Sequence, residues 1–388
     1  MFEDIVAALE TSNQDGDILW FDICTVNQHK SETRDFDWWQ TTFQDAVREI
    51  GCTVLVLSPW EKPIPLTRSW CIWEVYSTLV TNARLEVVMS DTARFLDVLQ
   101  NDFERIMTEL CQLDAAKAQA GQERDEEQIR ATILQNGGFD EVNSRCQMGI
   151  QGALVKIAKA AMTEASFKLM NGLGQLLVGQ AKYDEALAWY EKALAGFVGK
   201  GEEENTATTY FNMASVYDDQ GEYEKALEWY EKGLAIYLKT LGPDHPHTAT
   251  TYHNMASVYD DQGEYEKALE WYEKGLAIDL KTLGPDHPST ATSYSNMAGV
   301  FDNQGEYEKA LEWYEKGLAI KLKTLGPDHP STATSYNNMA VLCYNMEEYK
   351  KSLEYFETAL KIRLKSLDPS HPHVTSMQQA IEVVKQKL

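Results

Sequence analysis

The stretch of the chain best equipped for chemistry is RSWCIWEV, residues 68–75, where Glu74 follows Trp73 directly and Cys71 stands three places before it. A carboxylate among aromatic faces is either a reactive group or part of a helix start whose tryptophans are core. The residue types alone allow both. A second set is periodic: Asn212, Asn254, Asn296 and Asn338 recur every 42 residues, with Asn171 as a more distant counterpart. A carboxamide donates and accepts at once, so a row of them can pair with both the N–H and the C=O of an extended peptide, or can tie helices to one another. The residue before each of them changes from copy to copy (Phe211, His253, Ser295, Asn337), and selectivity for a bound chain would enter there. Histidines also recur, at 245, 287, 329 and 371 in DHP and SHP linkers. Metal binding needs converging ligands, and these stand one per repeat, so a linker role is expected, with no metal site and no resident cofactor.

The 388 residues carry a net charge of −25, with 27 acidic against 14 basic residues up to residue 164 and 33 against 21 beyond it. Acidity spread over both halves repels phosphate backbones and acidic membrane surfaces, so proteins or peptides are the expected partners. Six cysteines without CxxC spacing read as free thiols of a reducing compartment. The start MFEDIVAALE lacks the basic residues of a signal peptide, and no apolar run approaches a membrane span. A soluble cytoplasmic protein is expected.

Near-copies of TATTYFNMASVYDDQGEYEKALEWYEKGLAIYLKTLGPDHPH begin at Thr206, Thr248, Thr290 and Thr332, after a divergent copy from about Ala165. In the copy from Thr248, Tyr252, Met255, Ala256 and Tyr259 form one helical stripe; Ala268, Leu269, Tyr272, Leu276 and Leu280 form a second. Gly263 separates the two helices and the Gly-Pro of LGPDHP ends the second. The expected architecture is an all-α superhelical solenoid of five units (165–205, 206–247, 248–289, 290–331, 332–373), closed by a capping helix at 374–388. These residues resemble the tetratricopeptide repeat (TPR), and the 42-residue unit with its LGPDHP linker is similar to the kinesin light chain variety. The resemblance implies a concave groove, lined by the first helices, in which the recurrent asparagines hold an extended peptide. It also implies a protein-binding scaffold or adaptor, with kinesin heavy chain as a partner in the cargo-adaptor version. Where the resembled family carries basic residues near the end of the first helix, this chain has Asp218, Asp219, Asp260, Asp261, Asp302 and Asn303. A groove preferring basic or neutral segments is expected, with Asp219 and Asp261 among its contacts. The long heptad coiled coil that precedes kinesin light chain repeats has no counterpart; LCQLDAAKAQAGQERDEEQIRATIL reads as a short helix interrupted at Gly121.

The first 95 residues alternate apolar strands (DILWFDICTV, CTVLVLSP, LEVVMS) with helices (FDWWQTTFQDAVREI, SWCIWEVYSTLVTN, TARFLDVLQNDFERIMTELC), which predicts a parallel α/β sheet. Residues 96–164 are expected as a helical connector. In such sheets ligands bind beyond the carboxyl ends of the strands, and RSWCIWEV closes one of those loops. The order of elements, VLVLSP and SWC..E resemble the Toll/interleukin-1 receptor (TIR) fold, a flavodoxin-like arrangement. WFDICTVNQ is similar to fungal heterokaryon-incompatibility domains. The resemblance implies that residues 1–95 are a signalling or assembly module, incomplete because the first strand of that fold has no counterpart here. It further implies Glu74 as the catalytic carboxylate of an NAD glycohydrolase, residues 27–37 as a mobile loop, NAD as substrate, and Trp60, Trp70 and Trp73 as aromatic surface for a base. An oxocarbenium-like transition state would be stabilised by such a carboxylate.

Overall fold

The computed structural model describes residues 44–388 apart from 58–59, 62–63, 90, 111–112, 121–122, 368 and 370. The strand expected at 17–26, the loop at 27–37, Cys24 and the start of the helix expected over 36–50 lie outside the described residues. The chain divides into two compact units, Met1–Trp189 and Tyr190–Leu388.

In the N-terminal unit, β1 (Cys52–Val56), α1 (Ser69–Val80) and β2 (Arg84–Val88) form a strand–helix–strand element. The strands pair in parallel, Cys52 opposite Arg84 and Val56 opposite Val88. This is the crossover that a parallel pair requires. The helix expected over 92–111 is two: α2 (Thr92–Asn101) and α3 (Phe103–Leu110). Asp102 breaks them apart with a non-helical backbone (φ −153°, ψ 64°) and turns its carboxylate to the Arg105 N–H at 3.3 Å. Such self-capping is why Asp disfavours a helix interior.

The alanine-rich stretch 113–120, expected as helix, runs instead beside the start of α1. The Ser69 hydroxyl donates to the Ala118 carbonyl at 2.9 Å, Ser69 N–H to the Gln119 carbonyl, and Gln119 N–H to the Thr67 carbonyl. Burial of Ala115 and Ala118 against this strip overrides their helical propensity. Helix α4 (Glu123–Gln135) then leads into α5 (Gly138–Ala160), where Cys146 reaches the Ile72 carbonyl of α1. Helix α6 (Phe167–Val178) crosses α2 so closely that a Cβ on Gly172 would lie 2.3 Å from the Leu99 carbonyl oxygen. The N-terminal unit therefore holds α6 and ends inside α7 (Tyr183–Lys200), later than the connector boundary read from the sequence.

The C-terminal unit repeats one construction. Its first helices are α8 (Glu203–Asp219), α10 (Pro246–Asp261), α12 (Pro288–Asn303) and α14 (Pro330–Asn345). Its second helices are α9 (Tyr223–Thr240), α11 (Tyr265–Thr282), α13 (Tyr307–Thr324) and α15 (Tyr349–Arg363), and α16 (Pro372–Lys385) follows. Gly221, Gly263 and Gly305 turn each pair with φ of 73–77°; in the last repeat Glu347 holds that left-handed position at φ 61°. One repeat buries its second helix against the next repeat's first: Ala268, Tyr272 and Leu276 share a core with Met297 and Val300. No repeat can bury this face alone, which is why the units stack.

The linker histidines are helix caps. In His245, His287, His329 and His371, Nδ1 accepts from the backbone N–H two residues on, at 3.1–3.2 Å, and proline follows at the first helical position. The linker aspartates serve the same junctions: Asp244 and Asp286 pair with Lys281 and Lys323 of the following second helices, and Asp328 pairs with Lys365 just past the end of α15.

One expected face is displaced. Leu280 is 37% exposed, whereas Asp279 is 6% exposed. Steps of four residues advance about 40° each around a helix, so the stripe Ala268, Tyr272, Leu276 has turned outward by Leu280 and position 279 comes inside.

Candidate functional site

Each first helix presents one stripe at spacings of 0, 4, 7 and 11: Thr208, Asn212, Ser215, Asp219; then Thr250, Asn254, Ser257, Asp261; then Thr292, Asn296, Gly299, Asn303; then Thr334, Asn338, Val341, Asn345. Every member is exposed or half-buried. The asparagines divide their capacity. Asn254 donates to the Tyr230 phenol of the preceding repeat (3.3 Å), and Asn338 bonds Tyr314 likewise. Asn212 is half-buried, and Asn296 is exposed. Of the two roles raised by the sequence, the structure shows the tying of helices at Asn254 and Asn338; a carboxamide with one hydrogen fixed by a tyrosine keeps its oxygen and second hydrogen.

The carboxylates at the helix ends crowd one another across repeats. Burial, then Asp261 and Asp219, push Asp218 up to about 6. Burial also raises Asp219, Asp261 and Asp302. Across the next junction, Asn303 stands where an aspartate would be, and its amide donates to both Asp260 oxygens at 3.0 and 3.2 Å. A carboxyl whose folded value is raised binds its proton more tightly in the folded state, so its stabilising contribution is full below about pH 4 and lost as pH rises through about 6. Asp218→Asn is therefore expected to stabilise the chain at pH 8 by up to about 1 kcal/mol after allowance for solvent screening, and to give no gain at pH 4, in thermal melts at the two pH values.

The residues preceding the asparagines do not line this stripe. His253, with 17% of its side chain exposed, turns Nε2 to Asp279 Oδ2 at 2.8 Å. Ser293 of the next repeat donates to the same carboxylate oxygen at 2.7 Å and lies 3.2 Å from the same ring nitrogen. Burial works against the Asp279 charge, yet bonds from His253 and Ser293 hold the carboxyl below its ordinary value. This serine, histidine and aspartate do not form a hydrolytic relay, because acid and hydroxyl address one nitrogen while Nδ1 is buried with no partner. One repeat later Lys321 meets Ser295 (3.3 Å) and Ser335 (2.9 Å), and burial lowers its ammonium. Sequence reading missed Asp279 and Lys321; the 40° drift along the second helix was the available signal. Phe211 packs edge-on against Tyr230, and Asn337 is half-buried.

In the N-terminal unit Glu74 sits half-buried in the second turn of α1, its carbonyl accepting from the Thr78 hydroxyl at 2.7 Å. Of the three tryptophans expected as aromatic surface for a base, Trp60 and Trp73 are interior, whereas Trp70 is half-buried. Trp73 is 1% exposed against Tyr76, and Trp60 is 2% exposed against the Phe95 edge. Arg48 pairs with Asp45. At the carboxyl end of β2 lies a hollow of about 380 Å³ lined by Val87, Val88, Met89, Thr92, Ile157, Ala160 and Ala161, and Glu74 is not among these. Burial pushes the Cys146 thiol up to about 12, so it is inert. Among the described residues no cluster of His, Cys, Asp or Glu is placed to hold a metal ion, and no helix is long and apolar enough to cross a membrane.

Stacked helix pairs with a recurrent polar stripe define a helical-repeat scaffold. The tetratricopeptide repeat family model matches residues 166–239, 205–281, 262–323 and 304–365, and the chain belongs to that family. Among solved structures, the kinesin-light-chain nearly identical TPR-like repeats of Podosopora anserina are 26% identical, with 53% of this chain and 98% of that one aligned at a TM-score of 0.47. BtubC (BKLC) from P. vanneervenii is 20% identical over 59% of this chain and 94% of its own, TM-score 0.49. MamA from Desulfovibrio magneticus RS-1 is 17% identical over 54% and 100%, TM-score 0.39. No curated protein matches the chain.

Proposed function

We propose that this chain is a scaffold whose first-helix stripe holds an extended protein segment of basic or neutral character. The observation that carries the reading is the stripe itself: asparagines with hydrogen-bonding capacity to spare, ending in the carboxylates Asp219 and Asp261, which burial raises and which, at Asp261, the neighbouring Asp260 raises further. An extended segment exposes N–H and C=O groups that Asn254, Asn296 and Asn338 can match, and its lysines or arginines relieve the carboxylate crowding. Glu74 has no catalytic part in this proposal: Trp60 and Trp73 are committed to the core, and Glu74 does not line the hollow beside β2. Arrays of basic, neutral and acidic peptides probed with the full chain test the preference. Basic and neutral peptides are expected to bind; retention of acidic peptides alone would overturn it.

A further inference from the structure

The copies beginning at Thr206 and Thr248 differ at three of 42 positions: Phe211 for His253, Tyr237 for Asp279, and His247 for Ser289. All three lie at the packing of a second helix on first helices. Tyr237 bonds the Thr208 hydroxyl of its own repeat at 3.0 Å and stacks on the His247 ring at the start of the next first helix. Asp279 binds His253 of its own repeat and Ser293 of the next. Lys321 binds Ser295 of its own and Ser335 of the next. At the same place Arg363 reaches Thr334 of its own repeat at 3.0 Å. Phenol, carboxylate, ammonium and guanidinium thus succeed one another at one buried or half-buried position, each with a matched first-helix neighbour.

We propose that these pairs are an ordering code: they give each junction a different chemistry, so that repeats otherwise almost interchangeable stack in one sequence. The apolar contacts do little of this, because Ala, Tyr, Leu, Met and Val recur unchanged at the first two junctions and the third differs only by Leu342 in place of the valine. A slipped pairing that sets Asp279 against the setting of Tyr237, or Lys321 against His253, leaves a buried charge without its partner, and that penalty separates the native order from its near-copies. A role in reading a bound segment is not needed for these residues, and the proposal stands or falls apart from the peptide-binding reading.

The test transplants one junction's chemistry into another in the full chain. D279K alone puts an ammonium against His253. H253S/D279K recreates in the third repeat the Lys, Ser and Ser set of the fourth. In urea titrations followed by circular dichroism, D279K is expected to raise the unfolded population near the wild-type midpoint roughly 10-fold or more, and the double variant to recover at least half of the midpoint shift. If D279K proves insoluble, the same coupling reads as recovery of soluble protein in the double variant. After dilution from urea, the double variant, now with two junctions alike, is expected to return several-fold less material to its original size-exclusion peak than the wild type. D279K as stable as wild type, a double variant no better than D279K, or refolding as clean as wild type would each overturn the code.

Discussion

Trp73→Ala is expected to cost the N-terminal unit about 3–5 kcal/mol, the range for emptying a buried indole site. The side chain is 1% exposed, lies tilted against Tyr76 with ring centroids 5.3 Å apart, and occupies the face of α1 that meets the rest of the unit. Tyr76 is itself fixed by its hydroxyl, which donates to the Asn136 carbonyl at the end of α4. The cavity cannot close without drawing α1 away from α5, where Cys146 already touches the Ile72 carbonyl. Hydrogen exchange of the amides in residues 69–80 is the measurement, and a loss of protection of roughly 100-fold or more is expected. Protection unchanged within a few-fold would mean that Trp73 is available as a surface, and the nucleotide-platform role implied by the TIR resemblance would return.

The second large effect is Gly172→Ala, expected at about 3 kcal/mol. The added methyl would sit 2.3 Å from a backbone oxygen, that of Leu99, so relief requires the whole of α2 to move. Two other glycines of the same unit set the scale. A Cβ on Gly149 meets only the tip of Leu79, a side chain that can turn away, and a Cβ on Gly152 meets nothing within 4 Å. Gly152→Ala in the middle of α5 should therefore stabilise slightly through helix propensity. Denaturation midpoints in the order Gly152→Ala, wild type, Gly172→Ala are the expected result. Equal midpoints for Gly172→Ala and wild type would refute the close crossing of α2 and α6.

What could be read ahead of the structure followed from how many signals agreed. In the repeats, period, apolar stripe, Gly turn and Pro stop all point to the same helix pair, and the helices fall where those signals place them. The strand–helix–strand order around Glu74 was legible for the same reason. Three things were not. The 113–120 strip is alanine-rich and reads as helix, but its backbone bonds go to residues 67 and 69, which no local pattern shows. Asp279 looks like a surface residue of an amphipathic helix, because only the accumulated drift turns it inward. The DHP histidines read as linker, and their capping role depends on a ring nitrogen meeting an N–H two residues on, a contact outside the usual Ser, Thr, Asp and Asn signals. The acidic helix ends were plain in the sequence, but which carboxylate faces which, Asp218 toward Asp261 and Asp260 toward Asn303, emerged only from stacking.

Whether the first-helix stripe is the binding surface is measured by fluorescence anisotropy with a labelled lysine-bearing peptide selected on the full chain. Paired variants divide the stripe into its two chemistries: Asn254→Ala/Asn296→Ala removes backbone-matching carboxamides, and Asp219→Asn/Asp261→Asn removes charge while leaving the shape. Each pair is expected to weaken the peptide roughly 10-fold or more, and only the aspartate pair should flatten the dependence of Kd on salt. Wild-type affinity in both pairs, with the same salt dependence, would mean that the stripe does not bind the peptide.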